Sequence, residues 1–118
     1  MNGNLAALDE VKAIADAARR APGVDVAICP PFTLIAPAVA QAQGMPIGAQ
    51  DCHSKECGAY TGSICAPMLR EVGARLVIVG HSERRQFQHE TNGEVRAKAQ
   101  AALAAGLQAI ICVGETEA

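Results

Sequence analysis

The sequence is short of aromatic side chains and contains no tryptophan. Aromatic residues make up only 3% of its 118 residues, although hydrophobic residues account for 50%. A core with so few large rings must be built from Ala, Val, Ile and Leu, which suits the close packing of helices on a sheet. The length supports a single domain with a core of modest size.

Long apolar runs and a strong net charge are missing as well. The apolar runs fall far short of a membrane-spanning helix, and no basic, apolar and cleavage regions of a signal peptide are evident. The net charge is −2 and the isoelectric point is about 5.9, which gives no reason to expect a nucleic acid or an acidic membrane as a partner. We therefore expect a cytoplasmic protein with neither nucleic-acid nor membrane partners.

A paired cysteine framework is also absent. The five cysteines are Cys29, Cys52, Cys57, Cys65 and Cys112. An odd number is more typical of a reducing cytosol than of a secreted domain stapled by disulfides. Because no C-x-x-C pair occurs and the spacing of the middle three matches no common zinc pattern, we predict scattered thiols and no metal site.

Helical and extended patterns alternate along the chain. The apolar spacing predicts helices over residues 4–21, 33–43 and 92–105, and one or two helical turns over 65–72. Strands are predicted at residues 24–29, 46–50, 75–80 and 107–113. This alternation indicates an α/β fold with a parallel sheet and strands adjacent in chain order. Periodicity alone leaves open whether the sheet closes into a barrel.

The segment Gly80-His81-Ser82-Glu83-Arg84-Arg85 directly follows the most apolar predicted strand. The carboxyl ends of parallel strands are where α/β proteins place their sites. If Ser82 or Glu83 lies near the cap of a short helix, exposed amides there would disfavour a charged imidazolium. A neutral His81 could then donate a hydrogen bond to a carbonyl oxygen, although an ordinary strand-end role stays open on chemistry alone.

Five segments together resemble the triosephosphate isomerase family in order and spacing. They are residues 80–85, Cys29-Pro30-Pro31-Phe32, Gly48-Ala49-Gln50-Asp51-Cys52, Gly58-Ala59-Tyr60-Thr61-Gly62 and Cys112-Val113-Gly114-Glu115. Met1-Asn2-Gly3 resembles the tail of the family's first-strand motif. The resemblance implies a TIM (β/α)8 barrel of which about half, strands 2–5, lies in a single partial barrel domain over residues 1–118.

The resemblance also implies a reaction. The family interconverts dihydroxyacetone phosphate and D-glyceraldehyde 3-phosphate through an enediol(ate), without a cofactor, in glycolysis and gluconeogenesis. His81 would be the electrophile that polarises the substrate oxygens, with Ser82, Glu83 and Cys112 in supporting positions. The family's lysine, its Glu base and its phosphate-binding loops would lie outside residues 1–118, so these residues alone are expected to be inactive.

A homodimer is the further implication of the resemblance. The loop at residues 58–62 would enter the partner with Thr61 near its tip and Tyr60 in the contact, and Arg84 would brace that contact. The family often carries an acidic residue after the Thr-Gly pair, where this chain has Ser63. A plain solvent-exposed loop is the alternative interpretation.

Two other functions are compatible with an α/β pattern. The first is a non-catalytic half-barrel that serves as an assembly or structural unit. The second is a flavodoxin-like binding module, which would need a phosphate-cradling, glycine-rich loop after a strand, and none is evident. The pair Arg84-Arg85 lacks interleaved aromatic residues and is a weak signal for nucleic-acid binding.

Overall fold

A computed structural model describes residues 1–115 and 117 of the chain. The helices are α1 (Leu8–Arg19), α2 (Ile35–Gln41), α3 (Ala66–Glu71), α4 (Ser82–Phe87) and α5 (Asn92–Ala104). The strands are β1 (Gly48–Ala49), β2 (Leu76–Val79) and β3 (Gln108–Ile111). Turns of 3₁₀ helix at Leu5–Ala7 and Phe32–Leu34 lead into α1 and α2.

The three strands form one parallel sheet in the order β1-β2-β3. Gly48 of β1 lies opposite Leu76 of β2, and the β2–β3 register runs from Leu76 opposite Gln108 to Val79 opposite Ile111. Parallel neighbours need a crossover connection, and here α3 and the α4–α5 pair supply it. The predicted parallel sheet with strands adjacent in chain order is confirmed.

The predicted strand at residues 24–29 is wrong in its extent. Among the described residues, this segment pairs with the sheet only at Ile28, which forms a parallel bridge with Ile47. Val24 is 62% exposed, so little apolar burial holds the start of the segment against β1. Pro30-Pro31 follows directly, and prolines cannot donate to a ladder. Pairing is therefore confined to one position.

β1 is also shorter than the predicted strand at residues 46–50, and it lies where the backbones approach closely. A Cβ atom on Gly48 would lie 2.6 Å from Leu76 Cγ and 2.8 Å from Cys29 Sγ. Glycine at this position therefore allows β1 to lie between its two neighbours without a steric clash.

The two faces of β2 have different surroundings. Val77 and Val79 are fully buried and belong to the same apolar cluster as Val95 and Ala99 of α5. Ile78 lies between them in sequence, is half-buried and lines a cavity. Since successive side chains of a strand point to opposite faces, β2 has a face covered by helices and a face that lines the cavity. The prediction of a strand buried on both faces is correct except at Ile78, since Leu76, on the same face as Ile78, is only 4% exposed.

The start of α5 is fixed by reciprocal hydrogen bonds. Thr91 Oγ1 accepts from the Glu94 backbone N–H at 3.2 Å, and Glu94 Oε2 accepts from the Thr91 backbone N–H at 2.7 Å. This capping box satisfies two donors that the first turn would otherwise leave without partners. The predicted helix at residues 92–105 is confirmed to within one residue at its end.

All five cysteines are free thiols. Cys52 and Cys65 are buried, and burial, reinforced by the neighbouring Asp51 carboxylate, raises the pKa of Cys52 to about 11. Burial likewise raises the pKa of Cys29. Within residues 1–115 and 117, no cluster of three or more His, Cys, Asp or Glu side chains is arranged to hold a metal ion. None of the described helices is both long and apolar enough to cross a membrane.

Candidate functional site

The ends of successive chain segments meet at a cavity of about 840 Å³. Gln50 follows β1 and His81 follows β2, so this cavity lies at the carboxyl ends of the strands. Asn2 and Cys29 also line it, and Gln50 Nε2 donates a hydrogen bond to the Cys29 carbonyl oxygen at 2.8 Å. The cavity therefore occupies the edge of the sheet where α/β proteins place their sites.

His81 lies between this cavity and a second one of about 850 Å³ that also contains Cys112. The residue is the N-cap of α4, and its Nδ1 atom accepts a hydrogen bond from the Glu83 backbone N–H at 3.2 Å. An acceptor nitrogen carries no proton, so the contact fits a neutral ring with its proton on Nε2. The His81 side chain is 46% exposed, which leaves the ring accessible to a ligand.

Ser82 and Glu83 are the first two residues of α4, as the sequence predicts for residues near the helix cap. Glu83 Oε2 lies 3.9 Å from His81 Nδ1, beyond hydrogen-bonding distance, and the Glu83 side chain is 73% exposed. The backbone amide of Glu83, rather than its carboxylate, is therefore the group that orients the imidazole.

Four charged side chains form a closed ring beside α4. The carboxylates of Asp51 and Glu90 each contact both Arg84 and Lys98, with N–O distances between 2.7 and 3.2 Å. The Glu90 side chain is only 4% exposed. Each charge in the ring has two opposite charges as neighbours, which is the condition under which burial of charge is tolerated. The ring ties the segment after β1 to α4 and α5.

The ring sets the ionisation of Glu90. Burial alone would raise the pKa of this carboxyl, but hydrogen bonds and charges from Lys98, and then from Arg84, outweigh burial and hold its pKa below the ordinary value of 4.5. A carboxylate whose pKa is lowered by folding stabilises the fold above its unfolded pKa, and that stability is lost as the pH falls through the folded pKa.

We expect Glu90→Gln to lower the free energy of unfolding at pH 7 by on the order of 3 kcal/mol, because a buried ion pair loses one partner. The loss should begin to shrink below about pH 4.5, where Glu90 of the unfolded chain takes up a proton, and it should disappear as the pH falls through the lower pKa of folded Glu90. Urea unfolding of both proteins at pH 7 and pH 4 measures this, with Glu71→Gln as the control at an exposed carboxylate. An equal difference between Glu90→Gln and wild type at both pH values would contradict the assignment.

The residues predicted from sequence do not all lie together. His81, Ser82 and Cys112 line one cavity, and the Cys112 backbone N–H donates to the Val79 carbonyl oxygen at 3.0 Å. The Cys112 side chain is half-buried. Arg84 points into the charged ring, although its side chain is still 37% exposed.

The loop at residues 58–62 lies apart from both cavities that His81 lines. Tyr60 stacks on His53 with ring centroids 4.0 Å apart, and Thr61 is exposed. The His53 backbone N–H donates to the Ile64 carbonyl oxygen at 2.8 Å and closes the base of the loop. The loop is thus held at its base, with Tyr60 and Thr61 exposed to solvent.

Sequence reasoning did not identify four residues that surround the site: Asp51, Arg85, Glu90 and Lys98. Asp51 and Arg85 lie inside segments that were singled out, but their partners are distant in sequence. Lys98, for example, is 47 residues from Asp51. Asp51 could have been singled out from the sequence, because it directly follows a predicted strand and polar residues at that position often have a functional role.

Comparison with known proteins agrees with the motifs. The sequence model of the triosephosphate isomerase family matches residues 1–118. The triosephosphate isomerase of Dinoroseobacter shibae is 58% identical over 120 residues, covering 100% of this chain and 48% of that protein. The triosephosphate isomerase of Ruegeria pomeroyi is 55% identical over 118 residues, covering 98% and 47%.

A solved structure is similar in fold as well as in sequence. The crystal structure of triosephosphate isomerase from Bartonella henselae superposes with a TM-score of 0.91 at 47% identity, covering 98% of this chain and 48% of that chain. The predicted α/β fold of a TIM barrel, of which about half is present, is confirmed. The chain spans about half the length of the curated relatives it matches.

Proposed function

The chain belongs to the triosephosphate isomerase family, and we propose that it supplies the electrophile of a triosephosphate isomerase. The full-length protein interconverts dihydroxyacetone phosphate and D-glyceraldehyde 3-phosphate by proton transfer through an enediol(ate). Residues 1–118 form part of one barrel domain, the enzyme is cytoplasmic, and its substrate is a small phosphorylated triose. It binds neither nucleic acid nor membrane.

One observation carries the assignment of the electrophile. His81 sits at the carboxyl end of β2 with Nδ1 accepting from the Glu83 amide at 3.2 Å. The Nε2–H of the neutral ring is then free to donate to a carbonyl oxygen of the substrate. A donor held in place before the reaction stabilises the negative charge that develops on that oxygen when a carbon-bound proton leaves. In the family, the neutral imidazole rather than the imidazolium is the form that polarises the substrate carbonyl.

The other site residues act through the imidazole of His81. The Glu83 amide fixes the tautomer of His81, and Ser82 begins the helix that carries this amide. Cys112 follows β3 in the second cavity, next to the place where the family's Glu base enters from a later segment. Its contribution is to the packing of that wall.

A coupled isomerase assay on the full-length protein tests the proposed function. We expect conversion of D-glyceraldehyde 3-phosphate to dihydroxyacetone phosphate without added metal or cofactor. Absence of conversion by a folded full-length protein would contradict it. The non-catalytic assembly unit considered from sequence is not favoured, because the relatives described above are named as isomerases over the same residues.

Homodimer formation is the second part of the proposal. The exposed loop at residues 58–62, pinned at its base, is suited to enter a partner subunit with Tyr60 and Thr61 leading. Arg84 is partly exposed beside the site and braces the same contact.

Replacing residues 58–63 with a short turn should convert the full-length dimer into a monomer, because the proposed contact area is removed. Light scattering measures the solution mass. The same replacement in the exposed loop at residues 20–24, at the opposite end of the sheet, should leave the dimer intact. A 58–63 replacement that remains dimeric would show that this loop does not hold the subunits together.

A further inference from the structure

We propose that Arg85 is a positioning residue that sets the place of His81 by clamping the ends of β2 and β3 together. The inference rests on the proposed function, since it assigns a role in the same reaction. Arg85 lies on α4, four residues after His81, and its side chain is partly buried. It lines the second cavity together with His81 and Cys112.

The guanidinium of Arg85 reaches three neutral oxygens in three segments: the residue after β2, the residue after β3 and the first residue of α5. Nε donates to the Gly80 carbonyl oxygen at 2.6 Å, and Nη2 donates to the Cys112 carbonyl oxygen at 3.1 Å. Nη1 donates to Asn92 Oδ1, on the first residue of α5, at 2.6 Å. One rigid, planar group therefore joins the residue before His81, the residue after β3 and the start of α5.

These contacts lie directly beyond the last backbone hydrogen bond between β2 and β3. The backbone bond from Cys112 N–H to the Val79 carbonyl oxygen, at 3.0 Å, joins β3 to the last residue of β2. Arg85 donates hydrogen bonds to the next carbonyl oxygen after each of these two strands, those of Gly80 and Cys112. The Gly80 carbonyl and the His81 nitrogen belong to the same peptide group. The hydrogen bond from Arg85 therefore fixes the orientation of the backbone that carries the imidazole.

The backbone at Gly80 is shaped to admit the guanidinium. Its φ angle is +73°, in the left-handed region that glycine adopts without strain. A Cβ atom there would lie 2.8 Å from Arg85 Nη2 and 2.8 Å from Val95 Cγ1. Glycine at position 80 therefore leaves the space that the Arg85 guanidinium needs.

The clamp has a direct consequence for the reaction. β3 leads towards the segments that carry the family's Glu base, whereas β2 carries His81. A base and an electrophile must contact one substrate at the same time, and small displacements of a catalytic group are costly: about 1 Å can lower the rate by about 10²-fold. Arg85 holds the two strand ends at one spacing before substrate binds.

The test compares Arg85→Met and Arg85→Lys with a matched control in the full-length isomerase. The control is Arg75→Met, because Arg75 Nη1 donates to the Gly44 carbonyl oxygen at 3.2 Å at the opposite end of the same strand. We measure kcat, KM and the melting temperature of each protein, and the ¹⁵N NMR signals of the His81 ring.

We expect Arg85→Met to lower kcat by about 10- to 100-fold with a much smaller change in KM, because a misplaced electrophile weakens transition-state stabilisation more than binding. The ¹⁵N signals should show that His81 Nδ1 no longer accepts a single fixed hydrogen bond. Arg85→Lys should recover only part of kcat, since an ammonium cannot bridge three acceptors at once. Arg75→Met should keep the wild-type kcat and ring signals.

Wild-type kcat in either folded Arg85 variant would overturn the proposal. So would equal losses of kcat in Arg85→Met and Arg75→Met that follow their melting temperatures, because Arg85 would then only stabilise the fold. If Arg85→Met does not fold, Arg85→Lys decides the question by the same criteria. A wild-type enzyme with no isomerase activity would instead refute the proposed function, and the ring signals would still report whether Arg85 positions His81.

Discussion

Replacing His81 with Gln in the full-length isomerase should lower kcat by about 10²-fold or more, because a positioned acid–base or electrophilic group contributes 10²–10⁴-fold. KM should change less, since phosphate binding in this fold class depends on later loops. Gln keeps an N–H donor of similar reach but lacks the ring that the Glu83 amide orients through Nδ1. The expected loss therefore reflects orientation and polarisation together.

The control for this substitution is His89→Asn. His89 is exposed and has a φ angle of 54°, a conformation that asparagine tolerates better than most residues. Steady-state kinetics on the three proteins should show wild-type kcat for His89→Asn. A His81→Gln enzyme with near-wild-type turnover would rule out His81 as the electrophile.

A polypeptide limited to residues 1–118 should show no isomerase activity above background. In the family to which the chain belongs, the Glu base, the lysine and the phosphate-binding loops lie outside this range. Loss of a positioned base alone costs about 10²–10⁴-fold, and loss of substrate positioning costs more. The same coupled assay on residues 1–118 and on the full-length protein measures the difference.

The same polypeptide should also self-associate through β3. Ile110 is 42% exposed, Ile111 is 53% exposed and Val113 is 88% exposed, so the sheet edge at β3 carries an apolar surface of the kind that pairs with another chain. Mixing residues 1–118 with a polypeptide covering the remaining strands should suppress self-association and restore some activity. Substantial turnover by residues 1–118 alone, or a monodisperse monomer in light scattering, would contradict the account.

The elements that the sequence predicted well are those with strong local signals. β2 contains the consecutive apolar residues Leu76–Val79 and was located to within one residue at each end. α5 begins at the Thr91 capping box and is followed by Gly106 in the left-handed region. These features act over a few residues, so they can be recognised without knowledge of the rest of the fold.

The segment at residues 24–29 was harder to predict because its sequence is apolar but its pairing depends on neighbours. Only Ile28 bridges to the adjacent segment among the described residues. Local propensity for extended structure does not determine how many residues of a strand find a partner.

The residues of the candidate site also differ in how well the sequence alone predicts them. His81 could be found from its motif and from its position after a strand, but local geometry alone would not have distinguished it. His53 Nδ1 accepts from the Lys55 backbone N–H at 2.9 Å, the same contact that His81 makes with Glu83, yet His53 lines a different cavity. The charged ring and the Arg85 clamp join distant segments, so they emerge only in the folded chain.

Isomerisation in D₂O followed by proton NMR tests the central claim most directly. The full-length enzyme should convert dihydroxyacetone phosphate to D-glyceraldehyde 3-phosphate with solvent deuterium on the carbon next to the carbonyl in at least part of the product. The base that removes the carbon-bound proton can exchange it with D₂O before a hydrogen is returned to the enediol(ate). His81→Gln should slow both conversion and deuterium incorporation by about 10²-fold or more. Conversion by the wild-type enzyme without any deuterium in the product, or at the same rate in His81→Gln, would contradict the account.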